Sequence, residues 1–482
     1  MSIDSPSRQA RRRMVAPLAL MALLGAWAMR DAAGQPSGSA QTVMPTPGTD
    51  RPDRGDDARI ARGRYLAVAG DCVACHTLSH AAPFSGGRAV QTPFGAVLSA
   101  NLTPDIATGI GRYDGDTFYR ALHEGIDREG RHLYPAFPYP SYTRLTREDS
   151  DAIYAYLRSL KPVSHSVDRN QLRFPFNVRA LMGIWNMLFL DKGPYRPDPA
   201  RSPEWNRGAY LVQGLGHCEA CHTPRDALGG PRRDEAFRGG RFADWFAPDI
   251  TQNRRTGIGS WSREQLMEFL RDGRNVHGGA SGEMAEVVSF STSQLNDADL
   301  AAVTGYITTL APSPDEAPQS ADKATIAKGE AIWLDACAAC HRDDGRGVPR
   351  MFPPMKGNAN AQQRDPTTML HYILAGAQHR PTDDAPTPFS MPAFAWKLDD
   401  TQIAAVATYA RNSWGNVAAP VQAPDVTELR RALQKAHAAM PTWPPAEAPS
   451  ADLKRPGPST LSSAETDSRD NGTSRAGAEG TH

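Results

Sequence analysis

The chain has 482 residues, and its 53 Lys plus Arg are matched by 53 Asp plus Glu, so the net charge is zero. That balance offers no global field for nucleic acid or acidic lipid, and 40% hydrophobic with 22% charged residues is ordinary for soluble globular protein. The length suffices for about three domains at ~150 residues each, and the 41 Gly and 40 Pro fit short helices joined by long loops.

The N-terminus has the layout of an export signal. Arg11, Arg12 and Arg13 form a basic start, an uncharged and mostly apolar run follows from Met14 to Met29, and Ala26, Ala28 and Ala32–Gly34 supply small residues for cleavage. Residues 1–34 are assigned to a signal peptide and residues 35–55, rich in Pro, Gly, Ser, Thr and Asp, to a linker.

A repeated unit occupies the middle of the chain. Each copy opens on a basic residue and Gly: Arg62-Gly-Arg-Tyr65-Leu66, Arg207-Gly-Ala-Tyr210-Leu211 and Lys328-Gly-Glu-Ala-Ile332. This reads as a short helix leading into Cys-x-x-Cys-His. The motif occurs three times, with Cys72, Cys75 and His76, then Cys218, Cys221 and His222, then Cys337, Cys340 and His341, and these use all 6 Cys of the chain. Two thiols at this spacing add to the two vinyl groups of a porphyrin, and the adjacent imidazole ligates the iron. A zinc site or a thioredoxin-like pair would be the alternatives for one copy. Three copies in one helix–loop–helix frame point to three covalently bound haem c groups.

Each copy closes with a helix whose start is legible. Thr146, Asn296 and Asp399 are N-caps, with Asp149, Asp299 and Gln402 three residues on, so Thr146/Asp149 and Asp399/Gln402 resemble capping boxes. Copies one and two share a Thr-Gly-Ile-Gly loop, Thr108–Gly111 and Thr256–Gly259, that copy three lacks.

The sixth iron ligand is expected from the loop before the closing helix. Domain three offers Met391 followed by Pro392, and domain two offers Met284. Domain one has Phe137 there, which cannot ligate iron. Met182 stands first as a substitute, with His132, His123 or a five-coordinate haem as alternatives. Met182 lies in an apolar run over residues 180–190, too short to span a bilayer. That run is read as a helix packed between domains one and two, or else as an exposed docking helix for a partner or a membrane surface.

These expectations give an all-α fold of three tandem class I cytochrome c domains with long loops. Domain one spans 56–170, an apolar interdomain segment 171–200, domain two 201–312, a linker 313–320, domain three 321–416 and a disordered tail 417–482, in which residues 425–436 can form one short helix. No Walker loop, nucleophile elbow or dinucleotide fingerprint is present, so the chain is expected to be non-catalytic.

The three Cys-x-x-Cys-His sites, the Thr-Gly-Ile-Gly loops, Leu133-Tyr-Pro-Ala-Phe137-Pro-Tyr139, Met284-Ala-Glu-Val-Val288 and Asn412-Ser-Trp-Gly-Asn416 together resemble the triheme cytochrome c subunit of membrane-bound gluconate and alcohol dehydrogenases. The resemblance covers roughly residues 57–416. It implies a catalytic dehydrogenase partner with a flavin, pyrroloquinoline quinone or molybdenum centre that oxidises an alcohol, sugar acid or aldehyde. It also implies electron delivery to ubiquinone or another carrier, at the periplasmic face of the inner membrane with peripheral attachment. Members of that family often carry Met where Phe137 stands. A free periplasmic triheme shuttle, or a haem peroxidase using an open domain-one iron, are the alternatives.

Overall fold

The computed structural model describes residues 54–439, apart from 79–80, 168–169, 316 and 318. The expected signal peptide, the linker as far as residue 53, and the tail beyond residue 439 lie outside the described residues.

The first unit begins with α1 (Arg54–Ala69), runs into α2 (Cys72–His76) and then forms a hairpin of β1 (Ala89–Thr92) and β2 (Gly95–Leu98). Helices α3 (Gly115–Glu124), α4 (Tyr139–Tyr142) and α5 (Arg147–Ser159) complete it. A bridging segment follows with β3 (Gln171–Leu172) and α6 (Leu181–Phe189). The second unit has α7 (Pro203–Tyr210), continued by a π-helical turn at Leu211–Leu215, then α8 (Glu219–His222) and a hairpin of β4 (Arg238–Phe242) and β5 (Trp245–Asp249). It ends with α9 (Arg263–Asp272), α10 (Glu283–Phe290) and α11 (Asp297–Ile307). The third has α12 (Lys323–Ala336), α13 (Ala338–His341), α14 (Thr367–Ala375), β6 (Ala377–Gln378), β7 (Ser390–Met391), α15 (Asp400–Asn412) and α16 (Ala423–Ala439).

Three times, the opening helix crosses the closing helix of its own unit: α1 on α5, α7 on α11, and α12 on α15. The crossing point is a glycine in each case. A Cβ on Gly63, Gly208 or Gly329 would fall on the carbonyl group of Ala152, Ala302 or Ala405, and 3.0, 2.8 and 2.6 Å from the Cβ of Tyr156, Tyr306 and Tyr409. Backbone-to-backbone approach of this kind leaves no room for a side chain. The basic-Gly opening of each repeat therefore has a packing cause.

The all-α expectation needs correction, because short antiparallel strands occur in all three units. β1 pairs with β2, β4 with β5 and β6 with β7. The interdomain segment also begins differently from expectation. Its β3 adds to the first hairpin, with Ala96 opposite Gln171, so domain one extends past residue 170. Backbone groups in these loops find partners in the hairpins that helices would otherwise supply.

Units one and two meet through a reciprocal contact. Tyr65 of α1 donates its hydroxyl to Asp299 at the start of α11, at 2.6 Å. Tyr210 of α7 donates to Asp149 at the start of α5, also at 2.6 Å. Each carboxylate is held by the arginine of its own unit, Arg207 on Asp299 at 2.7 Å and Arg62 on Asp149 at 2.6 Å. Burial raises the Asp299 carboxyl, but the Arg207 and Tyr65 hydrogen bonds outweigh it and leave the carboxyl below its usual range. Asp149 thus turns to Arg62 and Tyr210, and the expected capping box of α5 is half formed: Thr146 caps the Asp149 amide, while the Thr146 amide donates to Tyr210. The Asp399/Gln402 box is complete. Unit three has Ala331 where the tyrosines stand, and it joins unit two elsewhere. Trp245 stacks on His371 with ring centroids 3.6 Å apart, and Thr368 exchanges hydrogen bonds with the Phe246 backbone at 2.9 and 2.7 Å.

The expected disordered tail starts with structure. Val421, Val426 and Leu429 are buried against α14 and α15, and Arg430 binds Asp400 at 2.7 Å. An apolar stripe at helical spacing within 423–439 is what makes this helix dock rather than stay in solvent. Helix α6 buries Met182 and Trp185 while Ile184, Met187 and Leu188 are exposed. Its inner face bridges units one and two, with Tyr139 donating to Asn186 at 2.5 Å and Trp185 donating to the Leu228 carbonyl at 3.0 Å. Among the described residues, no helix is long and apolar enough to cross a membrane.

Candidate functional site

The six cysteines form no disulfide, and each pair flanks one turn of helix ahead of its histidine. Burial pushes the Cys72, Cys75, Cys218 and Cys221 thiols up to about 12, and Cys337 to about 11. Redox-active pairs and zinc ligands need the thiolate, which these surroundings oppose. Addition of a neutral thiol to a vinyl group has no such demand. Cys75 nevertheless has exposed surface. Depth combined with access is what a cleft wall presents. Among the described residues, no three His, Cys, Asp or Glu side chains gather as a metal cage requires.

The imidazoles carry the most informative geometry. His76 Nδ1 lies 2.7 Å from the Ala100 carbonyl, His222 Nδ1 2.7 Å from the Pro248 carbonyl, and His341 Nδ1 2.9 Å from the Pro353 carbonyl. A carbonyl can only accept, so Nδ1 carries the proton in each ring and Nε2 keeps its lone pair. Burial lowers all three imidazoles from their usual range, which keeps them neutral. A neutral ring, oriented through Nδ1 and offering Nε2, is the arrangement of a metal-ligating histidine.

Local sequence fixes those carbonyls. Asn101, just after Ala100, accepts the Thr103 amide at 2.9 Å, and Asp249, just after Pro248, accepts the Thr251 amide at 2.7 Å. The loop then folds back, with Ile110 donating to Thr103 and Ile258 to Thr251, both at 2.9 Å. The Thr-Gly-Ile-Gly sequences serve this return: Gly111 and Gly259 have no room for a Cβ against the backbone at Pro104 and Gln252. In unit three, which lacks the loop, the carbonyl belongs to the first residue of Pro353-Pro354, whose rings restrict the backbone instead. The residues therefore fit covalent haem c: two thiols able to add to vinyl groups, and an imidazole oriented through Nδ1 by a fixed carbonyl, with Nε2 left for iron.

Among the candidate sixth ligands, Met391 is half-buried on β7, opposite Ala377. Met284 is half-buried at the start of α10, packed with Ala285, Val288 and Phe269. Phe137 belongs to the core that contains Cys72, edge-on to Tyr142 at 5.4 Å. Tyr142 in turn donates to the Gly70 carbonyl at 3.0 Å, two residues before Cys72. Met182 sits in a cluster with Tyr134, Tyr139 and Trp185, and Phe137 packs both against this cluster and against the core that holds Cys72. His132 lies against α6, its Nε2 3.1 Å from where a Cβ on Gly183 would stand. His123 stacks on Tyr119 with centroids 3.8 Å apart, and Arg147 covers that tyrosine. The carbonyl anchors were missed from sequence, because a backbone acceptor leaves no residue-type signal; the Asx turns beside them were the available clue.

The second motif is close to the first. Helix α10 of unit two packs on α2 of unit one, and Arg88 joins them, donating to the Ala74 carbonyl at 2.6 Å and to Glu286 at 2.7 Å. Conversely, Tyr142 of α4 meets His217, next to Cys218, edge to face at 5.9 Å.

The model of the cytochrome c family matches residues 60–161 and 326–414. The chain is 40% identical over 398 residues to the alcohol dehydrogenase (quinone) cytochrome c subunit of Gluconacetobacter polyoxogenes, covering 78% of this chain and 85% of that one. It is 38% identical over 401 residues to the gluconate 2-dehydrogenase cytochrome c subunit of Pantoea cypripedii, covering 79% and 91%. It is likewise 38% identical over 425 residues to the fructose dehydrogenase cytochrome subunit of Gluconobacter japonicus, covering 81% and 85%.

Proposed function

The chain belongs to the cytochrome c family, among the cytochrome c subunits of dehydrogenase complexes, and from that premise we propose that it is a three-haem electron-transfer subunit serving a catalytic dehydrogenase. The observation that carries the count is the histidine geometry: the same Nδ1-to-carbonyl anchor occurs at His76, His222 and His341.

Haem c supplies reversible one-electron chemistry at its iron. The chain's residues do the rest. Cys72 with Cys75, Cys218 with Cys221 and Cys337 with Cys340 would tether one group each. His76, His222 and His341 would supply Nε2, and Met284 and Met391 would supply a thioether from the segments before α11 and α15. A thioether ligand raises the reduction potential, while burial and hydrogen bonding around each site adjust it. The α10–α2 and α4–His217 contacts bring sites one and two together, and the Trp245–His371 interface joins unit three to unit two, so electrons have a packed route through the chain.

The partner oxidises an alcohol, sugar acid or aldehyde with a flavin, pyrroloquinoline quinone or molybdenum centre, and ubiquinone or another carrier receives the electrons. The setting is the periplasm, at the inner membrane, where the exposed apolar face of α6 favours peripheral attachment. Intact mass and the alkaline pyridine spectrum of the exported protein test the haem count. Three haems per chain, reduced to two by paired Cys337→Ala and Cys340→Ala, is expected; two in the unaltered protein would refute it. Mild purification from membranes tests the partner: a stoichiometric dehydrogenase chain is expected, and a cytochrome that separates while the membranes keep full dehydrogenase-to-quinone activity would refute it.

A further inference from the structure

We infer that the first unit holds its iron with no sixth protein ligand, under a roof formed by Phe137, and so takes a small exogenous ligand such as carbon monoxide, nitric oxide or cyanide. This rests on the haem reading above, and on a difference between the repeats. Units two and three place Met284 and Met391 on the segment that precedes the closing helix. Unit one places Phe137 there. Phe137 is packed into the core that holds Cys72, edge-on to the Tyr142 ring at 5.4 Å and 6.4 Å from the Tyr139 ring. A phenyl ring has no lone pair to give to iron.

Unit one has other donors, but none occupies the place of Phe137 in the loop. Met182 is on α6, which is pinned by the Tyr139–Asn186 and Trp185–Leu228 hydrogen bonds, in a cluster against which Phe137 also packs. His132 faces Gly183 of the same helix, with its Nδ1 buried and without a hydrogen-bond partner. His123 is buried on α3, stacked on Tyr119 under Arg147, with its Nε2 likewise unpartnered, so these three are the donors that the test must exclude. The site is not a general hole. An apolar roof with no donor admits a small neutral ligand to ferrous iron, and the same roof slows entry of larger ones.

The test is a carbon monoxide titration of the reduced full-length protein, followed in the Soret band, with the haem count measured on the same sample. The expected stoichiometry is one carbon monoxide per chain carrying three haems. Phe137→Leu, which keeps an apolar side chain without a donor, retains one. Phe137→Met supplies a thioether of similar bulk and drops the stoichiometry to zero, with loss of the high-spin signal in the oxidised protein. No binding in the unaltered protein, with binding appearing on His132→Gln, His123→Gln or Met182→Leu, would identify that residue as the sixth ligand and overturn the inference. So would carbon monoxide binding that Phe137→Met leaves unchanged. A haem count below three fails the functional reading instead, and the two failures are read from separate columns of the same experiment.

Discussion

Replacing Gly208 by alanine tests whether the close helix crossing is what organises a unit. The new Cβ would lie 2.6 Å from the Ala302 carbonyl carbon and 2.8 Å from Tyr306 Cβ, with the carbonyl oxygen nearer still. Ordinary carbon contacts begin at 3.4 Å, so α7 and α11 must part by roughly 1 Å. Overpacking costs about 1–3 kcal/mol, and a backbone obstacle places this case at the upper end. Alanine returns ~0.5–1 kcal/mol of helix preference, leaving a net loss of about 2 kcal/mol. For a domain of this size each kcal/mol moves the midpoint by ~4–8 °C, so the transition of unit two should fall by about 8–16 °C. Circular dichroism melting of the haem-loaded full chain reads it, with Gly278→Ala as the control, since nothing lies within 4 Å of that Cβ. A Gly208→Ala melt indistinguishable from the control would refute the crossing argument. A chain of three packed units need not melt in one step, so the comparison is made on the first transition.

Tyr210→Phe removes one hydrogen bond to a buried carboxylate that keeps Arg62, and should cost about 1.5–3 kcal/mol, seen as earlier proteolysis between units one and two; Tyr65→Phe should behave alike, and unit three should be unaffected by either. Burial lowers the His123 imidazole to about 4, against ~6.5 in the unfolded chain. The unfolded state therefore binds the proton first as pH falls, so stability is full above about 6.5 and declines from there toward 4. Denaturant midpoints across that window should drop in the unaltered protein and flatten in His123→Gln; equal slopes would refute the assignment. Asn101→Ala removes the turn that fixes the Ala100 carbonyl and should shift the reduction potential of the first site alone, in a spectroelectrochemical titration resolved by haem.

The motifs, the repeat and the closing-helix starts were legible in sequence because each depends on residue types at fixed spacing: thiols two apart, an N-cap before an apolar stripe, glycine where helices cross. The methionines of units two and three were singled out on the same ground. For Met182 the sequence says less, because whether a side chain beyond the closing helix returns to the site depends on how α6 docks, and that is set by Tyr139 and Trp185 through long-range contacts. Asp149 was read as a capping residue, which its position allows, but its side chain follows Arg62 and Tyr210 instead. The pairing was written in the sequence as Arg-Gly-x-Tyr, twice, though nothing local says that the tyrosine belongs to the other unit. The short helix expected at 425–436 is longer and docked, since its stripe of Val426, Leu429 and Leu433 needed a surface that only α14 and α15 could provide.

The Tyr65–Asp299 and Tyr210–Asp149 contacts form an interface in which each half gives the other what it receives. Two identical chains meet in this manner in a symmetric dimer, where any substitution appears on both sides at once. Here the halves share one chain, so the tie survives while the sides diverge. Phe137 in one half and Met284 in the other are such a divergence: the joint holds the two halves in register, and each is free to change alone.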